Sequence, residues 1–158
     1  MTTSETAEQR LARLGLELPA PPAAVAAFQP YVRSGTTVYV SGQIATRNAE
    51  LVATGRLGAD VDADTGHDAA RACALNVLAQ LQAAAGSLNN VARLVKITVF
   101  VASTAEFTAH SQVADGASKL LIEVLGPAGA HARSAVGVAA LPLGTPVEVE
   151  AIAELGGT

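Results

Sequence analysis

The sequence predicts an α+β fold: a single mixed β-sheet with two helices packed on one of its faces. Three observations carry that prediction. Residues 64–85 and 111–125 repeat their apolar positions every three or four residues, whereas 37–41, 91–101 and 147–153 alternate with period two. In chain order the elements read β, β, helix, β, helix, β, β, so two helices are available to cover one sheet face. The strands carry Ala, Gly and Val on both sides, so the face the helices leave bare is expected to meet another subunit.

At the N-terminus, Ser4 is a candidate cap for a short helix with Glu5 and Glu8 in its first turn and Leu11 and Leu14 along one side. Gly15 ends that helix, and Pro19, Pro21 and Pro22 continue as an extended linker. Residues 1–24 are therefore expected to form a helix and Pro-rich appendage, and 25–158 the main domain. Strands at 31–33 and 37–41 turn at Ser34-Gly35, with Val38 and Val40 on one side and Tyr39 and Ser41 on the other. Residues 46–61 read as a loop holding Asn48, Gly55 and Gly58, with a brief pairing at Leu51-Val52. The GRLG run inside it is too short and wrongly placed for a phosphate loop.

Asp64 or Thr65 is the expected cap of a long helix that buries Ala70, Cys73, Ala74, Val77, Leu78 and Leu81 and ends at Gly86. Residues 91–101 form the strongest strand, with Leu94, Lys96, Thr98 and Phe100 against Val95, Ile97, Val99 and Val101. The second helix buries Val113, Ala117, Leu120, Leu121 and Val124 and stops at Gly126-Pro127. Residues 133–154 read as two strands joined by a turn at Pro142, Gly144 and Pro146. In the first, Arg133, Ala135 and Gly137 share a face; in the second, Glu148, Glu150 and Glu154 oppose Val147 and Val149. As a hairpin, this pair would set a carboxylate receptor, Arg133, beside a water-activating acid, Glu148.

Bulk composition excludes several classes. Half of the 158 residues are apolar, 15% are charged and 3% are aromatic, so the core is built of Ala, Val and Leu. The net charge is −4 and no Lys/Arg cluster occurs, which argues against nucleic-acid binding. Cys73 is alone, so neither an intrachain disulfide nor a cysteine metal site is expected. Glu5, Glu8 and Arg10 stand where a signal peptide has its apolar stretch, and no run reaches membrane-spanning length. A cytoplasmic, membrane-free location is the expectation.

Four motifs together resemble the RidA/YjgF reactive-intermediate deaminase family: Tyr39-Val-Ser-Gly-Gln43, Leu94-Val-Lys-Ile-Thr-Val-Phe-Val101, Ala132-Arg-Ser-Ala-Val136 and Val147-Glu-Val-Glu-Ala-Ile-Ala153. The likeness spans about residues 30–154 and looks like a divergent subgroup. It implies a chorismate-mutase-like trimeric barrel with clefts between subunits. It also implies hydrolysis of 2-imino and enamino acids to 2-keto acids and ammonia, without metal or cofactor. Arg133 matches the arginine that grips the substrate carboxylate, which suits its planar fork of donors. Glu148 matches the glutamate that handles the attacking water. Ser41 and Gly42 match positions beside the imine and carboxylate, and Tyr31 a tyrosine that closes the cleft. Two departures stand out: Ala135 replaces a typical cysteine, and Asp115 is the nearest residue to a typical asparagine. Those departures motivate the alternative of a trimeric small-carboxylate binder, or chaperone-like protein, that does no chemistry. Plainer readings also remain for single residues: Glu148, Glu150 and Glu154 fit a wetted strand face, Ser41 a strand end, and His67 and His110 surface positions; His131, two residues before Arg133, could share its face and line the cleft mouth, with a surface position the plainer reading.

Overall fold

The computed structural model describes residues 3–157; Met1, Thr2 and Thr158, which bound the two expected segments, lie outside the described residues. The first element is helix α1, Ala7–Arg13. Its cap is Thr6 rather than Ser4: the Gln9 amide donates to Thr6 Oγ1 at 3.2 Å, and the Thr6 amide donates to Gln9 Oε1 at 2.8 Å. That reciprocal pair satisfies two amides that the first turn leaves without partners. Ala7 and Leu11 are buried in the main core.

Strands β1 (Tyr31–Ser34) and β2 (Thr37–Ile44) follow, then a two-stranded ribbon of β3 (Thr46–Arg47) and β4 (Glu50–Leu51), within the stretch expected as loop. Asn48 and Ala49 turn the ribbon at φ of 53° and 65°. Helix α2 spans Ala63–Ala85, capped by Asp62, whose Oδ1 accepts the Thr65 amide at 2.8 Å. The cap thus lies two residues before the expected Asp64, which sits in the first turn where a carboxylate favours the helix dipole. Strand β5 (Val91–Ala102), helix α3 (His110–Leu125), strand β6 (Ala132–Val138) and strand β7 (Val147–Leu155) complete the chain.

The five-stranded sheet has the order β1-β2-β7-β5-β6. β6 runs parallel to β5 and the other pairs are antiparallel. The hairpin expected from residues 133–154 is therefore absent: β5 lies between β6 and β7. The reason is the crossover. Because α3 carries the chain back over the sheet, β6 must start at the same end as β5 and pair with it in parallel. β6 becomes an edge, and β7 fills the slot between β2 and β5.

The helices cover one face, where Val38, Val40, Ile97, Val99, Val101, Val147, Val149, Ala151 and Ala153 meet α2 and α3 in a single core. The alternation expected for β5 slips at its start. Register shifts between Val91 and Arg93 and between Leu94 and Lys96 turn Leu94 into the core with Ile97 and leave Val95 40% exposed. The opposite sheet face carries no helix, and Val32, Tyr39 and Val136 are exposed.

The two long helices cross closely because α3 has no side chain at the contact. A Cβ on Gly116 would run into the backbone carbonyl of His67. Gly116→Ala is expected to destabilise the fold by about 1–3 kcal/mol despite alanine's better helix propensity, read as a lower denaturation midpoint with an unchanged m-value. An unchanged midpoint would show that the helices separate freely.

Candidate functional site

The residues singled out by the sequence form two groups on opposite faces of the sheet. The first lies where β2 meets β7. Val40 pairs with Ala151 and Gln43 with Val149, so β2 carries one extra residue and bulges at Ser41-Gly42. Ser41 anchors the bulge: its amide donates to the Pro30 carbonyl at 2.9 Å and its hydroxyl to the Gln29 carbonyl at 2.7 Å. Gly42 leaves room for the Glu148 side chain, since a Cβ there would collide with the Glu148 carboxylate. Glu148 sits between the buried Val147 and Val149 and so points away from the helices. Its carboxyl is pushed above the ordinary glutamate range, first by burial and then by the charge of Glu150. Such an acid exchanges a proton nearer neutrality than an exposed glutamate does.

The second group lies on the helix face, between edge strand β6 and α3. Arg133 and Ala135 share this face; Ala135 packs on the core and Arg133 reaches α3. Arg133 Nη1 donates to Asp115 Oδ1 at 2.9 Å and to Ser118 Oγ at 3.1 Å, while Nη2 approaches the Ser111 carbonyl at 3.5 Å. The Arg133 hydrogen bond, with its charge, holds the Asp115 carboxyl below the usual carboxylate range. His131 extends the chain. Its Nδ1 lies 2.6 Å from the Gly129 carbonyl, which only accepts, so Nδ1 carries the proton. In the neutral ring Nε2 is then an acceptor, and it receives the Ser118 hydroxyl at 2.8 Å. The order Arg133 to Ser118 to His131 to Gly129 is thereby directional, every donor facing an acceptor, and it fixes one nitrogen of the guanidinium.

Arg133 is the register partner of Ile97, and Glu148 that of Phe100. Strand spacing alone puts the two about 10 Å apart along the strands and roughly 10 Å across them. Within one protomer they do not share a substrate. Tyr31 pairs with Val40, beside Ser41 in the strand register, and packs half-buried against the core. Asp115 does meet Arg133. Ser118 escaped the sequence reading, although it lies one helical turn after Asp115; His131, just ahead of β6 and two residues before Arg133, is joined to it through Ser118. Of the remaining histidines, His67 lies within electrostatic reach of Asp115, and His110 Nε2 lies 3.2 Å from Ser103 Oγ. Among the described residues no group of three or more His, Cys, Asp and Glu side chains is placed to hold a metal ion. No described helix is long and apolar enough to cross a membrane.

A family described as "YjgF/chorismate_mutase-like, putative endoribonuclease" matches residues 8–155. The chain is 50% identical over 146 residues to Protein TCP17 of Trypanosoma cruzi, covering 92% of this chain and 91% of that protein. The crystal structure of Atu1372 from Agrobacterium tumefaciens, a protein of unknown function, superposes with a TM-score of 0.88 at 42% identity, covering 98% of this chain and 94% of that one. Escherichia coli TdcF, solved with bound serine, superposes with a TM-score of 0.63 at 29% identity, covering 85% and 93%.

Proposed function

This chain belongs to the YjgF/chorismate mutase-like family, and on that premise we propose that it hydrolyses reactive 2-imino and enamino acids to 2-keto acids and ammonia. The reaction takes place in clefts between the subunits of a homotrimer. One observation carries this reading: a poised acid and a carboxylate-binding fork lie on opposite faces of one sheet, so only a second copy brings the two kinds of group together. The helix-free face with exposed Val32, Tyr39 and Val136 is the surface such copies would bury. The serine bound by TdcF supports an amino-acid-sized carboxylate as the ligand.

In this reading Arg133 of one subunit holds the substrate carboxylate. Ser41, Gly42 and Glu148 of the next lie against the imine carbon. Glu148 takes a proton from water as the oxygen attacks C2, and the imine nitrogen takes up a proton from solvent to give a carbinolamine. Glu148 then returns its proton to the amine; as the C–N bond breaks, the carbinolamine hydroxyl gives up its proton to solvent, balancing the one taken up by the nitrogen, so that ammonia leaves and the keto acid remains. Ala135, standing where relatives of the deaminase type carry a cysteine, favours one second reading: a trimer that holds small carboxylates without turnover. Ribonuclease action is opposed by the net charge of −4 and by the acidic face of β7.

The test is ammonia release from imines generated in situ by an amino-acid oxidase. Faster release with the protein than without it is expected, in fractions that elute as a trimer. Equal rates across short aliphatic imino acids overturn the deaminase reading, and calorimetric binding of the matching keto acids under those conditions selects the binding trimer.

A further inference from the structure

The surroundings of Arg133 suggest more than a receptor for an anion. Both hydrogens of Nη1 are engaged, one by Asp115 and one by Ser118, whereas Nε has no partner among the described residues. The free edge of the fork is therefore the Nε/Nη2 side, with Nη2 held only by the long contact to the Ser111 carbonyl. A carboxylate docks there side-on, through two parallel hydrogen bonds. Asp115 is engaged through Oδ1 alone; Oδ2 has no hydrogen-bond partner among the described residues. The Asp115 side chain is 43% exposed and that of Arg133 22%, so a ligand reaches both.

As a pair, Arg133 and Asp115 cancel, with Lys119 and His67 also within electrostatic reach of Asp115. A plain anion gains little from their summed field, because the carboxylate that steadies the fork also repels it. A ligand with a positive group beside its carboxylate meets both partners with the right sign. We infer that Asp115 is a specificity-determining residue that selects zwitterions, so that the site prefers a protonated 2-iminium acid, or the amino acid resembling it, over the neutral-carbon keto acid. This rests on the reading of Arg133 as the carboxylate receptor. It also assigns a consequence: the keto acid product, lacking the cation, is the weaker ligand and leaves.

The experiment is calorimetry on the full chain near neutral pH with two probes of one size, 2-aminobutyrate and 2-oxobutyrate. Wild type is expected to bind the amino acid about tenfold more tightly. Asp115→Asn, which keeps shape but loses charge, is expected to abolish or invert that ratio, and Asp115→Glu to retain it. Equal affinities in wild type, or a ratio untouched in Asp115→Asn, overturn the inference. Arg133→Ala separates the two levels. If it removes binding of both probes while Asp115→Asn changes no ratio, the zwitterion selection fails and the receptor stands. If both probes still bind Arg133→Ala, or neither binds wild type, the receptor reading falls and the selection falls with it.

Discussion

Arg133→Ala is expected to lower ammonia release by at least about a hundredfold, with both substrate capture and turnover affected. Losing a charge-assisted, two-pronged contact to a part-buried carboxylate costs about 3 kcal/mol, which is roughly a hundredfold. Misplacement of the imine carbon relative to the water adds to that. Because Arg133 also ties β6 to α3 through Asp115 and Ser118, its removal disturbs packing as well. Arg133→Lys separates the two effects. It keeps a cation near Asp115 but has no planar fork, so it is expected to keep the melting temperature while losing most of the activity. Full activity in Arg133→Lys would show that charge alone suffices and that the fork geometry is irrelevant.

Glu148→Gln is the second large effect, a loss of about a hundredfold to ten-thousandfold in turnover with substrate binding retained. The amide fills the same space over Gly42 but takes no proton. Its stability should move the opposite way. Burial raises the folded-state carboxyl above its unfolded value, so between those two values the folded chain holds more protons than the unfolded one. Folding stability contributed by Glu148 is therefore highest below the unfolded pKa and falls as pH rises through the folded one. Gln carries no such penalty. The variant is expected to match wild type in acid and to equal or exceed its melting temperature at neutral pH. A variant less stable only at neutral pH would mean that the ionised carboxylate has a favourable partner, contrary to the desolvation seen around it.

The residues of the proposed site were legible in the sequence one by one. Ser41, Gly42, Asp115, Arg133 and Glu148 were named from motifs, and the structure gathers the first two around Glu148 and joins the third to Arg133. What the motifs did not carry was the grouping. Arg133 and Glu148 lie close in sequence with turn residues between them, the pattern of a hairpin, and a local reading puts them side by side. The choice of partner strand is not local. It depends on the α3 crossover, which forces β6 into parallel pairing with β5 and leaves β7 to pair elsewhere. The slip in β5 has a similar origin: two bulges, invisible in a run of alternating residues, reset which side chains reach the core. The caps moved by two residues because several Ser, Thr and Asp side chains compete near each helix start and backbone direction decides among them.

By itself the sequence determined the fold class, the two long helices and the five strands of the main sheet, and it named the residues proposed as the acid and the fork. These follow from side-chain period and backbone preference, which act within a few residues of chain. Tertiary structure alone decided that β5 separates β6 from β7, that Glu148 and Arg133 face opposite ways, and that Ser118 links Arg133 to His131. Strand order and facing are set by hydrogen bonds and packing between segments far apart along the chain, and period or propensity within a segment carries no record of them.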